Sequence, residues 1–247
     1  MTLPLFHVDP ATLAGAEVGA SLVLDGPEGR HAATVRRIGP GEQVLLADGT
    51  GRRVTAEVTA AGEGALDLRV REVATEPEPS PRFVIVQALA KAGRDEDAIE
   101  AATEIGADEV VPWQAARCIV QWRGDKSARA LRKWESVVAA AAKQARRSRV
   151  PLVAQPVTTA ALARRIADGA SAFVLHEDAT VPLAGVTLPE GGDVLVVVGP
   201  EGGITPEEVA QLEAAGAVAV RLGPTVLRSS SAGPAALAVL SAASRWR

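Results

Sequence analysis

Five apolar residues, Val194-Leu-Val-Val-Val198, run without a break into Gly199-Pro-Glu-Gly-Gly203 and then into Thr205-Pro-Glu-Glu208. An uninterrupted run rich in β-branched residues fits a strand buried on both faces, and such strands belong to parallel sheets covered by helices. Thr205 as N-cap, Pro206 at the first helical position and Glu208 three residues on make a complete capping box, so a helix is expected to start there. Strand, glycine loop and helix start together predict α/β architecture for this part of the chain.

The pattern extends upstream and downstream. Phe83 to Ala88, Glu109 to Pro112 and Ala172 to Leu175 read as short buried strands. Asp95 to Ile105 reads as a helix with Gly106 as its C-cap. Ala130 to Arg147 is a longer helix, with Leu131, Trp134, Val137 and Val138 on one side and most basic residues on the other. Val218-Ala-Val-Arg221 is a further strand, followed by a Gly223-Pro224 turn and an alanine-rich helix that Ser229, Ser230 and Ser231 can cap. That last helix, Ala235 to Trp246, is apolar on most sides and has to be buried against something.

The N-terminal third has a different rhythm. Ser21 to Leu24, Gln43 to Ala47, Arg53 to Thr59 and Ala65 to Val70 are short apolar or alternating runs, cut by Gly39-Pro-Gly41 and Asp48-Gly49. Asp-Gly between two such runs is a strong hairpin signal, and this spacing suggests a small β-barrel or sandwich. Only Gly29 to Ile38 looks helical. Residues 73–82 then hold three prolines and two glutamates, a composition that stiffens a chain and buries nothing. The expected organisation is a first domain at 1–72, a linker at 73–82 and an α/β domain at 83–247.

Composition narrows the partners. The net charge of −4 disfavours a polyanion on average, but from Arg117 to Arg149 there are ten basic residues against Asp125 and Glu135. This is a basic island in an acidic chain: either a solvated helix face or a surface for phosphates. With no Tyr, three Phe and four Trp, RNA contact would rest on Arg and Lys rather than on stacked bases. One cysteine, Cys118, and three histidines, His7, His31 and His176, show neither disulfide nor metal-ligand spacing, so no metal is expected. The start lacks a signal-peptide pattern and no apolar run approaches the roughly 20 residues of a membrane helix. The expectation is a cytoplasmic protein with no membrane contact.

The glycine loop at 199–203 has the architecture of an anion site, but Glu201, Glu207 and Glu208 would crowd a phosphate with like charge, and no dinucleotide or Walker fingerprint is present. A neutral or cationic ligand, such as an adenosine carrying a sulfonium, fits better. A tight turn that needs glycine only for its backbone angles explains the same residues. In the second loop, backbone groups outside a ladder could hold an adenine edge.

The pair Gly199-Pro-Glu-Gly-Gly203 and Leu222-Gly-Pro-Thr-Val-Leu-Arg228 resembles the two C-terminal signature loops of the SPOUT methyltransferases, and specifically the RsmE family, which methylates N3 of a uridine in 16S ribosomal RNA. Further similarity runs in order along the chain: His31-x-x-x-Val35-Arg36, Gly39-Pro-Gly41 and Asp48-Gly49, then Lys91 to Arg94, Glu96, Thr103-Glu-Ile-Gly106, Arg117, Gln144-x-x-Arg147 and Arg149-Val-Pro151. The sequence departs from the family pattern at Ser229-Ser-Ser231 (usually Thr-Glu-Thr), Lys91-Ala-Gly-Arg94 and Lys143.

The resemblance implies a PUA-like N-terminal barrel that binds RNA, a SPOUT α/β domain with a C-terminal trefoil knot, a homodimer, and S-adenosylmethionine (SAM) bound in the knot. It implies a cofactor pocket lined by Gly199, Gly202, Gly203, Leu222, Gly223, Leu227, Arg228 and Ser229. RNA contacts are expected at His31, Arg36, Arg37, Arg117, Arg147 and Arg149, with 16S rRNA or the 30S subunit as partner. Attack by uracil N3 on a methyl group requires loss of the N3 proton and stabilisation of the anion. Arg94 or Arg228 could stabilise the charge, and Glu104 or Glu201 could take the proton, although Glu104 can equally pair with an arginine and Arg94 can bind phosphate. Two other classes stay open. A ribose 2′-O-methyltransferase of the same superfamily would carry an Asn after the first loop glycine, where this chain has Pro200. A non-catalytic RNA-binding ribosome-assembly protein would not bind SAM.

Overall fold

In the computed structural model, which describes residues 3–246, turn residues cut the first 75 positions into β1 (Leu5–His7), β2 (Ser21–Leu24), β3 (Gln43–Ala47), β4 (Arg52–Gly62) and β5 (Ala65–Thr75). They pair in the order β1-β3-β4-β5-β2, antiparallel except for β1 on β3. Asp48 shapes the β3–β4 turn by accepting from the N–H groups of Thr50 (2.7 Å) and Arg52 (3.1 Å), and Gly49 takes φ +78°. All five strands send side chains into one core, including Phe6, Leu24, Leu46, Val54 and Leu68, closed by Leu13 of α1 (Pro10–Leu13). The brief helical segment is α2 (Gly26–Arg30), which widens at His31–Val35 into a π-type turn where the Arg36 N–H reaches the His31 carbonyl.

The chain up to Glu78 forms one compact unit together with Ala142–Val150. This differs from the contiguous division expected from the sequence. Segment 148–150 bonds to the β3–β4 turn through Gly51 N–H to Ser148 O and Val150 N–H to Gly49 O. Lys143 pairs with Glu28 at 2.6 Å. The linker is also shorter than 73–82, because β5 continues through Thr75 and the next strand starts at Arg82.

The second unit, Pro79–Ala141 with the chain from Pro151, is built on parallel strands: β6 (Arg82–Ala88), β7 (Glu109–Gln114), β8 (Leu152–Val153), β9 (Val157–Thr158), β10 (Ser171–Leu175), β11 (Val181–Pro182), β12 (Asp193–Val198) and β13 (Val218–Arg221). The order is β11-β13-β10-β12-β6-β7-β8, with β9 also on β7. The helices are α3 (Arg94–Ile105), α4 (Asp125–Gln144), α5 (Thr159–Ala167), α6 (Pro206–Ala214) and α7 (Ser229–Ala243). The short pieces β8, β9 and β11 and helix α5 carried too little periodicity to be expected from sequence. Helix α4 ends three residues before the predicted Arg147.

Strand β13 lies between β10 and β11, which follow each other in the chain. The segment leaving β13 returns as α7 to pack on α3, β6, β12 and the turn Leu183–Gly185. This placement of β13 is compatible with the implied knot. Gly233 lets α7 approach closely, since a Cβ there would lie 3.2 Å from Val198 Cγ2 and 3.6 Å from Ile85 Cγ2. The apolar side of α7 is thus buried within its own chain, so its composition does not by itself require a second copy.

Candidate active site

Because β6, β10, β12 and β13 are parallel neighbours, their carboxyl ends share one edge of the sheet, where open α/β folds bind ligands. Both glycine loops leave from that edge. Gly199–Gly203 follows β12, and Leu222–Arg228 follows β13. The starts of α3, α6 and α7 lie on the same side, because each helix follows one of these strands.

The first loop is held by its own chain. The Gly203 N–H donates to the Pro200 carbonyl at 2.9 Å, with Gly203 at φ +75°. A Cβ on Gly199 would lie 2.6 Å from Ile204 Cγ1, so glycine is needed there for packing alone. Arg117 donates to the Gly202 carbonyl at 3.0 Å, and a Cβ on Gly202 would lie 3.3 Å from Arg117 Cβ. The expected capping box is present: Thr205 Oγ1 accepts from the Glu208 N–H, and Glu208 accepts from the Thr205 N–H. Glu208 is buried and also accepts from the Ala116 N–H (2.9 Å) and the Thr159 hydroxyl (2.7 Å). One carboxylate thereby ties α6, α5 and the 115–117 turn to the loop. Sequence spacing could reveal its local cap but not these partners.

The second loop is unbraced. Positions 223–227 make no backbone hydrogen bond to the rest of the described chain. A Cβ at Gly223 would meet nothing within 4 Å. Val226 is 74% exposed, and Leu227 and Arg228 are also exposed. The serines do not cap α7: its N-cap is Arg228, without a side-chain hydrogen bond, and Ser229 to Ser231 occupy the first turn. Ser229 Oγ is buried without a partner. Space beside Gly223, free backbone donors and acceptors and an unpaired hydroxyl suit a polar, flat ligand such as an adenosine.

The candidate catalytic groups separate into near and far. Arg94, at the start of α3, donates to Glu201 of the first loop at 3.2 Å. Glu104 sits ten residues along the same helix, ~15 Å away by helical rise, and is exposed, so it does not join the pair. Arg228 stands at the start of α7. Between Ala90 and Arg94 the backbone turns through left-handed geometry at Ala92 (φ +59°) and Gly93 (φ +78°). That turn delivers Asp95, missed in the sequence because an acid at a helix start looks like ordinary N-terminal charge. Asp95 is only 5% exposed. Burial pushes its carboxyl up from the ordinary aspartate value despite the N–H groups of Ala90 and Glu96 that point at it. Burial also raises the Cys118 thiol, which favours its protonated form.

His176 follows β10. Its Nδ1 accepts from the Asp178 N–H at 3.2 Å, and it lines a separate groove of about 430 Å³ with Asp178, Val209, Glu213 and Val218, which includes neither glycine loop. No group of His, Cys, Asp and Glu that could hold a metal ion occurs among the described residues.

The RNA-binding candidates fall in both units. Arg117 braces the first loop, as described. In the N-terminal unit, Arg36 and Arg37 are exposed with no ion-pair partner among the described residues, Arg37 at φ +54°. His31 is half-buried, its ring edge-on to Phe6. The Arg147 carbonyl accepts from His7. Arg149 is structural. Its guanidinium lies against Gly51, where a Cβ would come within 2.6 Å of it, and donates to the Glu76 carbonyl at 2.7 Å.

Comparisons with known proteins show the family. The RNA methyltransferase domain family matches residues 76–241, and the RNA methyltransferase PUA domain family matches residues 24–71. The chain is 49% identical to ribosomal RNA small subunit methyltransferase E of Mycobacterium bovis, over 100% of this chain and 94% of the relative. It is 29% identical to the Bacillus subtilis protein of the same name, over 91% of each. The crystal structure of ribosomal RNA small subunit methyltransferase E from Neisseria gonorrhoeae bound to S-adenosyl methionine superposes with a TM-score of 0.83 at 25% identity, covering 98% of both chains.

Proposed function

The chain belongs to the RNA methyltransferase family of the ribosomal RNA small subunit methyltransferase E proteins, and from that premise we propose that it transfers the methyl group of SAM to N3 of a uridine in 16S ribosomal RNA. The observation that carries this reading is the pairing of a braced and an open glycine loop on one sheet edge, with Arg94 and Glu201 beside them. SAM supplies an electrophilic methyl group. Residues 223–227 and Ser229 hold the adenosine, and the first loop, preformed, shapes the side of the pocket next to Arg94. Arg94 or Arg228 stabilises negative charge on the uracil oxygens, because a guanidinium fixed before reaction needs no reorganisation as charge develops.

Arg36 and Arg37 of the N-terminal unit contact phosphates, and the basic residues Arg123, Lys126 and Arg129 near the start of α4 extend that role. Exposed Ile119, Val226 and Leu227 support a homodimer through this region, and a protein that modifies rRNA works in the cytoplasm on the 30S subunit or its precursor.

The test is incubation of the protein with labelled SAM and small subunits lacking the modification, followed by nucleoside mass spectrometry. N3-methyluridine is the expected product. A 2′-O-methylated nucleoside, or no transfer to a confirmed unmodified target, would refute the reading. Reversing Arg36 and Arg37 to Glu should weaken RNA binding and lower the slope of log K against log salt by about 2, measured by filter binding, with SAM affinity unchanged.

A further inference from the structure

The carboxylates flanking the site differ in what already occupies them. Glu201 is hydrogen-bonded to the Arg94 guanidinium, Glu208 serves two donors besides its cap, the Ala116 N–H and the Thr159 hydroxyl, and Glu96 pairs with Lys133 at 2.6 Å. Asp95 makes no ion pair; it accepts from the N–H groups of Ala90 and Glu96, at 3.4 and 3.1 Å, and from its own. It lies on the buried side of α3, one turn before Ala98 and Ile99, next to the end of β6 through its bond from the Ala90 N–H, and α3 packs on both β6 and α7. Since α3 follows β6 and α7 follows β13, and these strands run parallel, both helices begin at the edge from which the two glycine loops leave. Every side chain of α7 from Ser229 to Ala243 is non-titratable.

We propose that Asp95 accepts the N3 proton of the target uridine during methyl transfer. This rests on the methyltransferase reading above. As the N3–carbon bond forms, the N3–H electron pair stays on nitrogen and the proton passes to an Asp95 oxygen. The carbon–sulfur electron pair leaves with sulfur, and Asp95 later returns its proton to solvent. A desolvated carboxylate outside any ion pair is a better proton acceptor than one already bound to a guanidinium. The charged groups that act on it are Glu96 of its own helix and Lys133 of α4. Glu96 adds to its basicity by repulsion.

Asp95→Asn keeps the shape of the side chain and one of the two acceptor oxygens that serve the Ala90 and Glu96 N–H groups, and removes the basic site. The expected result is a fall in kcat of about 100-fold or more, loss of the acid limb of the pH–kcat profile, and a SAM Kd by calorimetry within about twofold of the parent. In the unmutated protein, carbon-13 NMR of the Asp95 carboxyl, assigned by its absence in the variant, should show titration above the ordinary aspartate range. A variant turning over within about threefold of the parent on the same subunits, or a carboxyl titrating at or below that range, would overturn the role. If the parent protein itself transferred no methyl group, the function would fall first and this role with it.

Discussion

The two glycine loops look alike in sequence and differ in how the fold treats them. Gly199–Gly203 is locked by a backbone turn, by Ile204 against Gly199, by Arg117 on Gly202 and by Glu208 beneath it. Leu222–Arg228 has open space beside Gly223 and no such contacts at 223–227. The first is a scaffold that folding completes, and the second is a surface that gains its partners from a ligand. A preformed wall lowers the ordering cost of binding, while an open backbone supplies the donors and acceptors that discriminate the ligand.

The largest expected effect breaks this contrast directly. Gly223→Val puts a side chain into space that belongs to no residue, at a φ outside the left-handed region. SAM affinity should fall by about 100-fold, ~2.7 kcal/mol, with little change in Tm. Gly199→Val should lower affinity too, but through the scaffold: a Cβ 2.6 Å from Ile204 overpacks the loop and costs ~1–3 kcal/mol of stability. Calorimetry and thermal unfolding of both variants separate the cases. Equal destabilisation, or undiminished SAM binding by the Gly223 variant, would remove the distinction between the loops.

Next in size is the brace itself. Glu208→Ala leaves the Ala116 N–H and the Thr159 hydroxyl without their acceptor and removes half of the capping box. Buried hydrogen bonds to a charged group make this a loss of about 2–3 kcal/mol, read by denaturant unfolding, with a smaller loss for Thr205→Ala of about 1 kcal/mol. Arg94→Ala should change stability by under ~1 kcal/mol, because its pair with Glu201 is 42% and 25% exposed, yet it should reduce turnover. A stability loss from Arg94→Ala as large as that from Glu208→Ala would make the pair another brace.

What the sequence revealed follows the range of each signal. The capping box at Thr205, the strand at 194–198 and the C-cap at Gly106 depend on residues a few positions apart, and the structure has them as expected. The return of 142–150 to the N-terminal unit depends on hydrogen bonds with a turn a hundred residues earlier, from Gly51 to the Ser148 carbonyl and from Val150 to the Gly49 carbonyl, which no local pattern encodes. Arg149 looked like one more cation in a basic run, but the close fit against Gly51 makes it a clamp. Three serines before an alanine-rich helix looked like a cap, yet Arg228 adopts the extended N-cap geometry and the helix begins one residue later, at Ser229. Glu104 and Glu201 were equivalent as letters; helical rise separates them.

The smallest expected effect concerns a position that works against stability, unlike either the braces or the open loop. Burial raises the Asp95 carboxyl above its ordinary value, and a group whose pKa is higher folded than unfolded favours the fold when protonated. Its contribution is fully present below the unfolded value of about 3.9 and is lost as pH rises through the folded value. At pH 7 the charged carboxylate is therefore a cost that Asp95→Asn removes, partly offset by the loss of one of its two acceptor oxygens, so the variant should have a Tm equal to or slightly above that of the parent. Lowering the pH should shift the difference in the parent's favour, since the parent's aspartate then becomes neutral as well. Thermal unfolding of both proteins between pH 7 and pH 4 measures this. A variant less stable than its parent at pH 7 would mean that Asp95 serves the fold as Glu208 does. A more stable but slower variant would mark Asp95 as a group kept at a cost to stability in order to accept a proton.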